Sequence, residues 1–150
     1  MKNYYYTYYK NKNYYKLVTY HNGEYDGLYE EYYNFNKYFN MCNYKNHKFS
    51  NRQQIKIRCH YKNGKLHGLY EQWFESGLKY KKCYYENGIL NGDYEEYHNL
   101  TRFFQKSCRI KCYYNYGLRQ GICITWDVYG KIFSIKKYNM GSITEEKLFN

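Results

Sequence analysis

Short segments of strict apolar and polar alternation recur along the chain. Residues 55–61 read Ile-Lys-Ile-Arg-Cys-His-Tyr, and residues 108–114 nearly repeat that pattern. Successive side chains of a strand point to opposite sides of a sheet, so period-two alternation predicts strands with one covered face. The segments 29–32, 70–73 and 94–97 are acidic instead. We therefore expect acidic and basic strands to lie side by side, with part of the basic charge used in cross-strand pairs.

A glycine motif recurs between these segments. The string Tyr-x-Asn-Gly-x-x-x-Gly-x-Tyr-Glu-x-aromatic begins at Tyr61 and begins again, 24 residues later, at Tyr85. An Asn-Gly pair between strand-forming residues indicates a tight hairpin turn, because both residues tolerate a positive φ. Each repeat is therefore predicted to be one β-hairpin.

The repeat covers nearly the whole chain. After an N-terminal half-repeat over residues 4–19, predicted units begin near Tyr20, Tyr44, Tyr61, Tyr85, Tyr114 and Tyr138. The unit at Tyr44 is degenerate, because His47 and Asn51 stand in place of both glycines. The glycines that we assign to turns and close backbone packing are Gly23, Gly27, Gly64, Gly68, Gly88, Gly92, Gly117, Gly121 and Gly141.

These features predict an all-β fold. One array over residues 1–150 would form an elongated, single-layer antiparallel sheet of tandem hairpins, in which each unit buries its apolar face with the help of its neighbours. Ser142 and Glu145 form a Ser-x-x-Glu capping box, which favours a short C-terminal helix over residues 144–149.

The composition supports strands over disorder. Leu, Ile, Val and Phe total 28 of 150 residues and the net charge is +11, a combination typical of disordered chains. The 26 Tyr residues counter that tendency, because a Tyr ring buries a large apolar area while its hydroxyl stays hydrated. No apolar run of transmembrane length and no signal-peptide pattern is present, so we expect a cytoplasmic, reducing location, or the host cytoplasm if the protein is viral.

The cysteines follow the repeat. Four of the six precede a repeat tyrosine by two residues: Cys42, Cys59, Cys83 and Cys112. Val18 holds that place in the first unit, and Cys123 stands where other units have the tyrosine after the second glycine. No Cys-x-x-Cys spacing is present and small hydrophobic residues fit that position, so we expect buried free thiols in a reducing compartment rather than metal ligands. Cys59 and Cys83 would lie on equivalent strands of successive hairpins, which is usually too far apart for a disulfide.

Candidate catalytic groups do not form a recognisable set. The five His residues show no fixed spacing to a nucleophile and an acidic partner. The pairs Glu30-Glu31 and Glu95-Glu96 are adjacent on predicted strands, so their carboxylates would point to opposite faces. We expect no enzymatic activity and no catalytic, cofactor-binding or metal-binding residues.

The motif, with its period near 24, resembles the MORN-repeat variant of YwqK-type proteins, most closely at residues 61–74 and 85–97. That resemblance implies a single-layer hairpin sheet and supplies no catalytic residues. Bacterial members of the family are often described as antitoxin components, and MORN arrays elsewhere act as scaffolding or lipid-associated modules.

We therefore expect a non-enzymatic protein-interaction or scaffolding module, with an unknown protein partner or a second copy at its open edge strands. An antitoxin-like neutraliser of a toxin protein is one alternative. The charge of +11, interleaved with aromatic residues, suggests another: a basic surface that binds anionic membrane lipid or nucleic acid.

Overall fold

The computed structural model describes residues 3–8, 14–33, 54–99 and 108–149. In these ranges eleven antiparallel strands form one open sheet, and their order in the sheet is their order in the chain. The strands are β1 Asn3–Tyr8, β2 Tyr14–His21, β3 Glu24–Tyr32, β4 Ile55–Lys62, β5 Lys65–Trp73, β6 Lys79–Glu86, β7 Ile89–Tyr97, β8 Cys108–Asn115, β9 Leu118–Trp126, β10 Ile132–Asn139 and β11 Ser142–Leu148. The all-β, single-layer hairpin sheet expected from the sequence is confirmed.

The expected C-terminal helix is wrong, because residues 142–148 form the edge strand β11. Glu145 accepts a hydrogen bond from Lys137 Nζ at 2.8 Å, and Glu146 lies 2.9 Å from Lys136 Nζ. A helix of six residues with no surface to pack on is marginal. The ladder with β10 and these cross-strand pairs therefore outweigh a local capping signal.

Five tight turns follow one geometry. The second turn residue is always a glycine with positive φ, and the first has φ between 44° and 51° although it is not glycine: Asn22, Asn63, Asn87, Tyr116 and Met140. Two successive positive φ values match the right-handed twist of the flanking strands. The turn glycines also connect hairpins, since the N–H of Gly88 donates to Leu66 O at 2.7 Å and that of Gly117 donates to Leu90 O at 2.7 Å.

The second glycine of each motif lies in a bulge. Cys83 pairs with Tyr94 and Tyr85 pairs with Leu90, so Tyr84 alone faces three residues centred on Gly92. Gly92 has a φ of +120°, and a Cβ placed on it would lie 3.2 Å from Tyr84 Cβ. Only glycine adopts that backbone region without strain.

Between hairpins, two further glycines form turns that the motif does not mark. Gly77 and Gly130 have φ of +85° and +82°. In the first turn Phe74 N–H donates to Leu78 O at 2.8 Å, and in the second Asp127 N–H donates to Lys131 O at 2.9 Å. These connections place β6 beside β5 and β10 beside β9.

The N-terminal strands continue the register. Tyr5 pairs with Val18 as Tyr70 pairs with Cys83. The degenerate unit predicted near Tyr44 lies outside the described residues. The strands on either side of it in sequence, β3 and β4, pair directly with each other.

One side of the sheet is covered by tyrosines and thiols; we call it the tyrosine face. Paired residues of neighbouring strands share a face, and the row Tyr29, Cys59, Tyr70, Cys83, Tyr94 and Cys112 runs across six strands. The rings pack against one another, with centroids 5.7 Å apart for Tyr29 and Tyr61 and 5.8 Å apart for Tyr70 and Tyr85. Small thiols between large rings thus supply the core of a single-layer sheet.

The opposite side carries a row of alternating charge: Glu30, Arg58, Glu71, Lys82, Glu95 and Lys111. Arg58 Nε lies 2.7 Å from Glu30, and Lys111 Nζ lies 3.0 Å from Glu95. The Tyr97 hydroxyl, which donates to Glu95, and then Lys111 hold the pKa of Glu95 below its ordinary value. The expected side-by-side arrangement of acidic and basic strands is confirmed. The row of alternating charge ends where Lys111 faces Ile124.

Candidate interaction surface

The nine glycines singled out from the sequence all have positive φ and are spaced along the sheet in turns and bulges. They do not converge on one point, so they organise the fold and do not form a site. Surfaces that differ from one hairpin to the next are therefore the candidate sites.

Cys59 and Cys83 are buried free thiols, as expected, whereas Cys108 is free but only half-buried. Burial, reinforced by the neighbouring Cys83, raises the pKa of the Cys59 thiol to about 12. Burial likewise raises the pKa of Cys83 to about 11. Both groups are poor nucleophiles near neutral pH, because only the thiolate reacts.

The expectation of free thiols is wrong for Cys112 and Cys123, which form a disulfide with their Cα atoms 4.3 Å apart. Cys83 faces Tyr94 in the preceding hairpin, and Cys112 and Cys123 occupy the equivalent positions. Directly opposed residues of an antiparallel pair approach this closely at non-hydrogen-bonded sites. The signal in the sequence was Cys123, which replaces the tyrosine that faces a cysteine in other hairpins and so places two thiols opposite each other.

These states predict a distinct alkylation pattern. In denaturant without reductant, iodoacetamide should modify Cys59 and Cys83 but leave Cys112 and Cys123 unmodified until a reductant is added. In the folded protein, Cys59 and Cys83 should stay unmodified even when the pH reaches the ordinary thiol pKa of about 8.5, because their own pKa values lie higher. Peptide mapping by mass spectrometry measures both, and alkylation of Cys123 without reductant would contradict the disulfide.

At the tight-turn end of the sheet, four exposed apolar residues form what we call the turn ridge: Ile89, Tyr116, Leu118 and Met140, which are 47, 62, 46 and 73 % exposed. The ridge is continuous across hairpins. A Cβ added to Gly117 would lie 3.4 Å from Ile89 Cγ2, and one added to Gly141 would lie 3.3 Å from Leu118 Cδ2. Successive turns therefore stack side by side.

The ridge residues depart from the repeat. Ile89 and Leu118 occupy the position after the turn glycine, where the first two hairpins have Glu24 and Lys65. Tyr116 and Met140 occupy the first turn position, where the other turns have asparagine. A positive φ disfavours large side chains and is best tolerated by Asn, so Tyr116 and Met140 are strained as well as exposed.

On the tyrosine face of β8 to β11 there is a concavity of about 350 Å³. Its lining includes Arg109, Arg119 and Lys136, the hydroxyl pair Thr125 and Ser134, and the ring of Phe133. Thr125 Oγ1 and Ser134 Oγ are 2.7 Å apart. Arg119 projects between two tyrosines, donating from Nε to Tyr114 and from Nη1 to Tyr138 at 3.0 Å each.

The basic charge is not a property of the described sheet. Residues outside the described ranges include nine basic and no acidic ones, whereas the described ranges hold fifteen basic and thirteen acidic ones, a net charge of +2. At least eight of those fifteen basic side chains form ion pairs with described carboxylates. The faces of the sheet are thus nearly neutral.

Comparison with known proteins identifies no relative: no family model, no curated protein and no solved structure matches the chain. Within residues 3–8, 14–33, 54–99 and 108–149, no group of three or more His, Cys, Asp and Glu side chains could hold a metal ion. The same ranges contain no helix that is long and apolar enough to cross a membrane.

Proposed function

We propose that the protein is a non-enzymatic protein-interaction module, and that a protein partner with an apolar groove docks on the turn ridge. The observation that carries this proposal is the change of residue type at equivalent positions. Glu24 and Lys65 show that the turn stacking needs no apolar side chain, yet Ile89 and Leu118 are apolar and half exposed. Contiguous exposed apolar residues are typical of protein interaction sites.

Strain at the same surface supports the proposal. A non-glycine residue at positive φ costs about 1 kcal/mol or more, and Asn reduces that cost. Tyr116 and Met140 have a positive φ although they are 62 and 73 % exposed, so packing within the sheet does not offset the strain. Burial of both side chains by a partner would offset it.

The resemblance to MORN-type arrays fits a scaffold, although such arrays also act as lipid-associated modules. An antitoxin-like neutraliser is a protein binder too, and the identity of the partner distinguishes it from a scaffold. Binding of lipid or nucleic acid by the described sheet has less support, since its charge is close to balanced.

The test is affinity capture with a ridge variant that carries Ile89→Lys, Tyr116→Asn, Leu118→Lys and Met140→Asn. A matched control changes the equivalent polar turns, with Glu24→Lys and Lys65→Glu. We expect the wild type and the control to retain a protein that the ridge variant loses, and that purified protein to bind the wild type directly with at least tenfold higher affinity than the variant.

Sedimentation of the purified wild type shows whether the retained protein is a second copy, which would appear as an oligomer that the ridge variant abolishes. Two results would overturn the proposal if the wild type is also monomeric. In the first, all three baits retain the same proteins; in the second, none of the baits retains a protein.

A further inference from the structure

Three residues that line the concavity on the tyrosine face depart from the repeat in one hairpin. Cys123 replaces the tyrosine found at Tyr70 and Tyr94, and Thr125 replaces Gln72 and Glu96. Loss of a ring removes volume, and loss of the carboxylate removes negative charge. The third change places Arg119 where the preceding hairpins have Leu66 and Leu90.

The charge and the hydrogen-bonding capacity of Arg119 are only partly satisfied within the described sheet. The guanidinium lies over the rings of Tyr114 and Tyr138, with its centre 5.9 and 5.3 Å from their centroids. Two of its five N–H groups donate to the hydroxyls of these tyrosines, which leaves three. No carboxylate in the described part of the chain forms an ion pair with it.

The other cations of the concavity are already neutralised. Arg109 pairs with Glu96, and Lys136 Nζ lies 2.9 Å from Glu146. The concavity therefore has a net charge of about +1, located on a planar fork that is fixed by two aromatic rings. Such a fork matches the two oxygens of a carboxylate.

The residues around Arg119 indicate what kind of group a bound carboxylate would carry. Phe133 is 58 % exposed and lines the concavity together with Trp126. The hydroxyls of Thr125 and Ser134 share one hydrogen bond, so one of them retains a free donor. A few fixed polar groups beside apolar walls are typical of small-molecule and side-chain pockets.

We propose that this concavity binds a carboxylate carried by an aromatic or apolar group, with Arg119 as the recognition fork. The free carboxylate of a small aromatic acid and that of a peptide chain terminus share this chemistry. The inference does not depend on the turn ridge, which lies at the end of the sheet and has no charged group of its own.

Titration calorimetry with phenylacetate and with N-acetylphenylalanine tests the proposal, with phenylacetamide as the uncharged match. We expect saturable binding of at least one acid, and at least tenfold weaker binding of the amide. Tighter binding of N-acetylphenylalanine would identify a peptide terminus as the source of the carboxylate, and tighter binding of phenylacetate a small acid. Equal binding of acid and amide, or no saturable binding of either acid, would overturn the proposal.

Arg119→Leu restores the residue of the preceding hairpins, so it should fold at least as stably as the wild type and lose acid binding by at least tenfold. Arg119→Lys keeps the charge without the fork and should bind the acids more weakly than the wild type, which keeps the test valid if the leucine variant folds poorly. Unchanged acid affinity in either folded variant would contradict the assignment.

Discussion

Replacing Gly92 with alanine is expected to lower the free energy of unfolding by about 2 to 3 kcal/mol. The backbone there has a φ of +120°, and the added Cβ would lie 3.2 Å from Tyr84 Cβ. Neither atom belongs to a flexible side-chain end, so the strands themselves would have to move apart. Chemical denaturation followed by tyrosine fluorescence measures the change.

Gly68 provides the matched control, because it holds the same motif position in the preceding hairpin. Its φ is +84°, and no atom lies within 4 Å of the Cβ position. Gly68→Ala should therefore cost about 1 kcal/mol, the strain of the left-handed region alone. Equal losses for the two variants would show that the close approach of the bulge to Tyr84 is unimportant.

Cys59→Ser is the second substitution with a large expected effect, a loss of about 2 kcal/mol. Cys59 is 2 % exposed and is flanked by Tyr29 and Tyr70 on the neighbouring strands. Its Sγ forms no hydrogen bond with any described residue, and burial, followed by the neighbouring Cys83, raises the pKa of the thiol to about 12. A serine hydroxyl would be buried there without a partner.

Cys59→Val is the control, since Val18 occupies the equivalent position of the first hairpin and is 3 % exposed. We expect this variant to remain within about 1 kcal/mol of the wild type. If serine were tolerated as well as valine, the thiols would not be apolar packing elements of the tyrosine face. Urea unfolding midpoints of the three proteins decide this.

Most of the fold can be predicted from local chemistry. The Asn-Gly pairs fix the hairpin turns, alternation fixes the faces, and the acidic and basic strands pair as their charges require. The exception is β11, for which a helix was expected. The Ser142 capping box is a local signal, and the ladder with β10, which is a tertiary interaction, outweighs it. Gly77 and Gly130 could have been found as a second turn series, because they are 53 residues apart, as Gly64 and Gly117 are.

The candidate surfaces were not predictable in the same way. Cys123 stands out in the sequence because it replaces a repeat tyrosine, but Arg119 and Thr125 are ordinary residues by composition. Their role is apparent only from the residues that equivalent strands have at the same register. The ridge also required the structure, since stacking of Ile89 on the turn of Gly117 is a contact between hairpins. Departures from the repeat such as those at Arg119 and Ile89 become informative only after the register between neighbouring units is known.

In the function that we propose, the ridge residues Ile89, Tyr116, Leu118 and Met140 serve a partner and do not stabilise the sheet. The free energy of unfolding of the fourfold ridge variant tests it most directly. Since Lys and Asn occupy these positions in other hairpins, and since Asn relieves the strain at both turns, the variant should be as stable as the wild type or more stable by about 1 kcal/mol. A loss of about 2 kcal/mol or more would show that these side chains stabilise the sheet, and would contradict the claim.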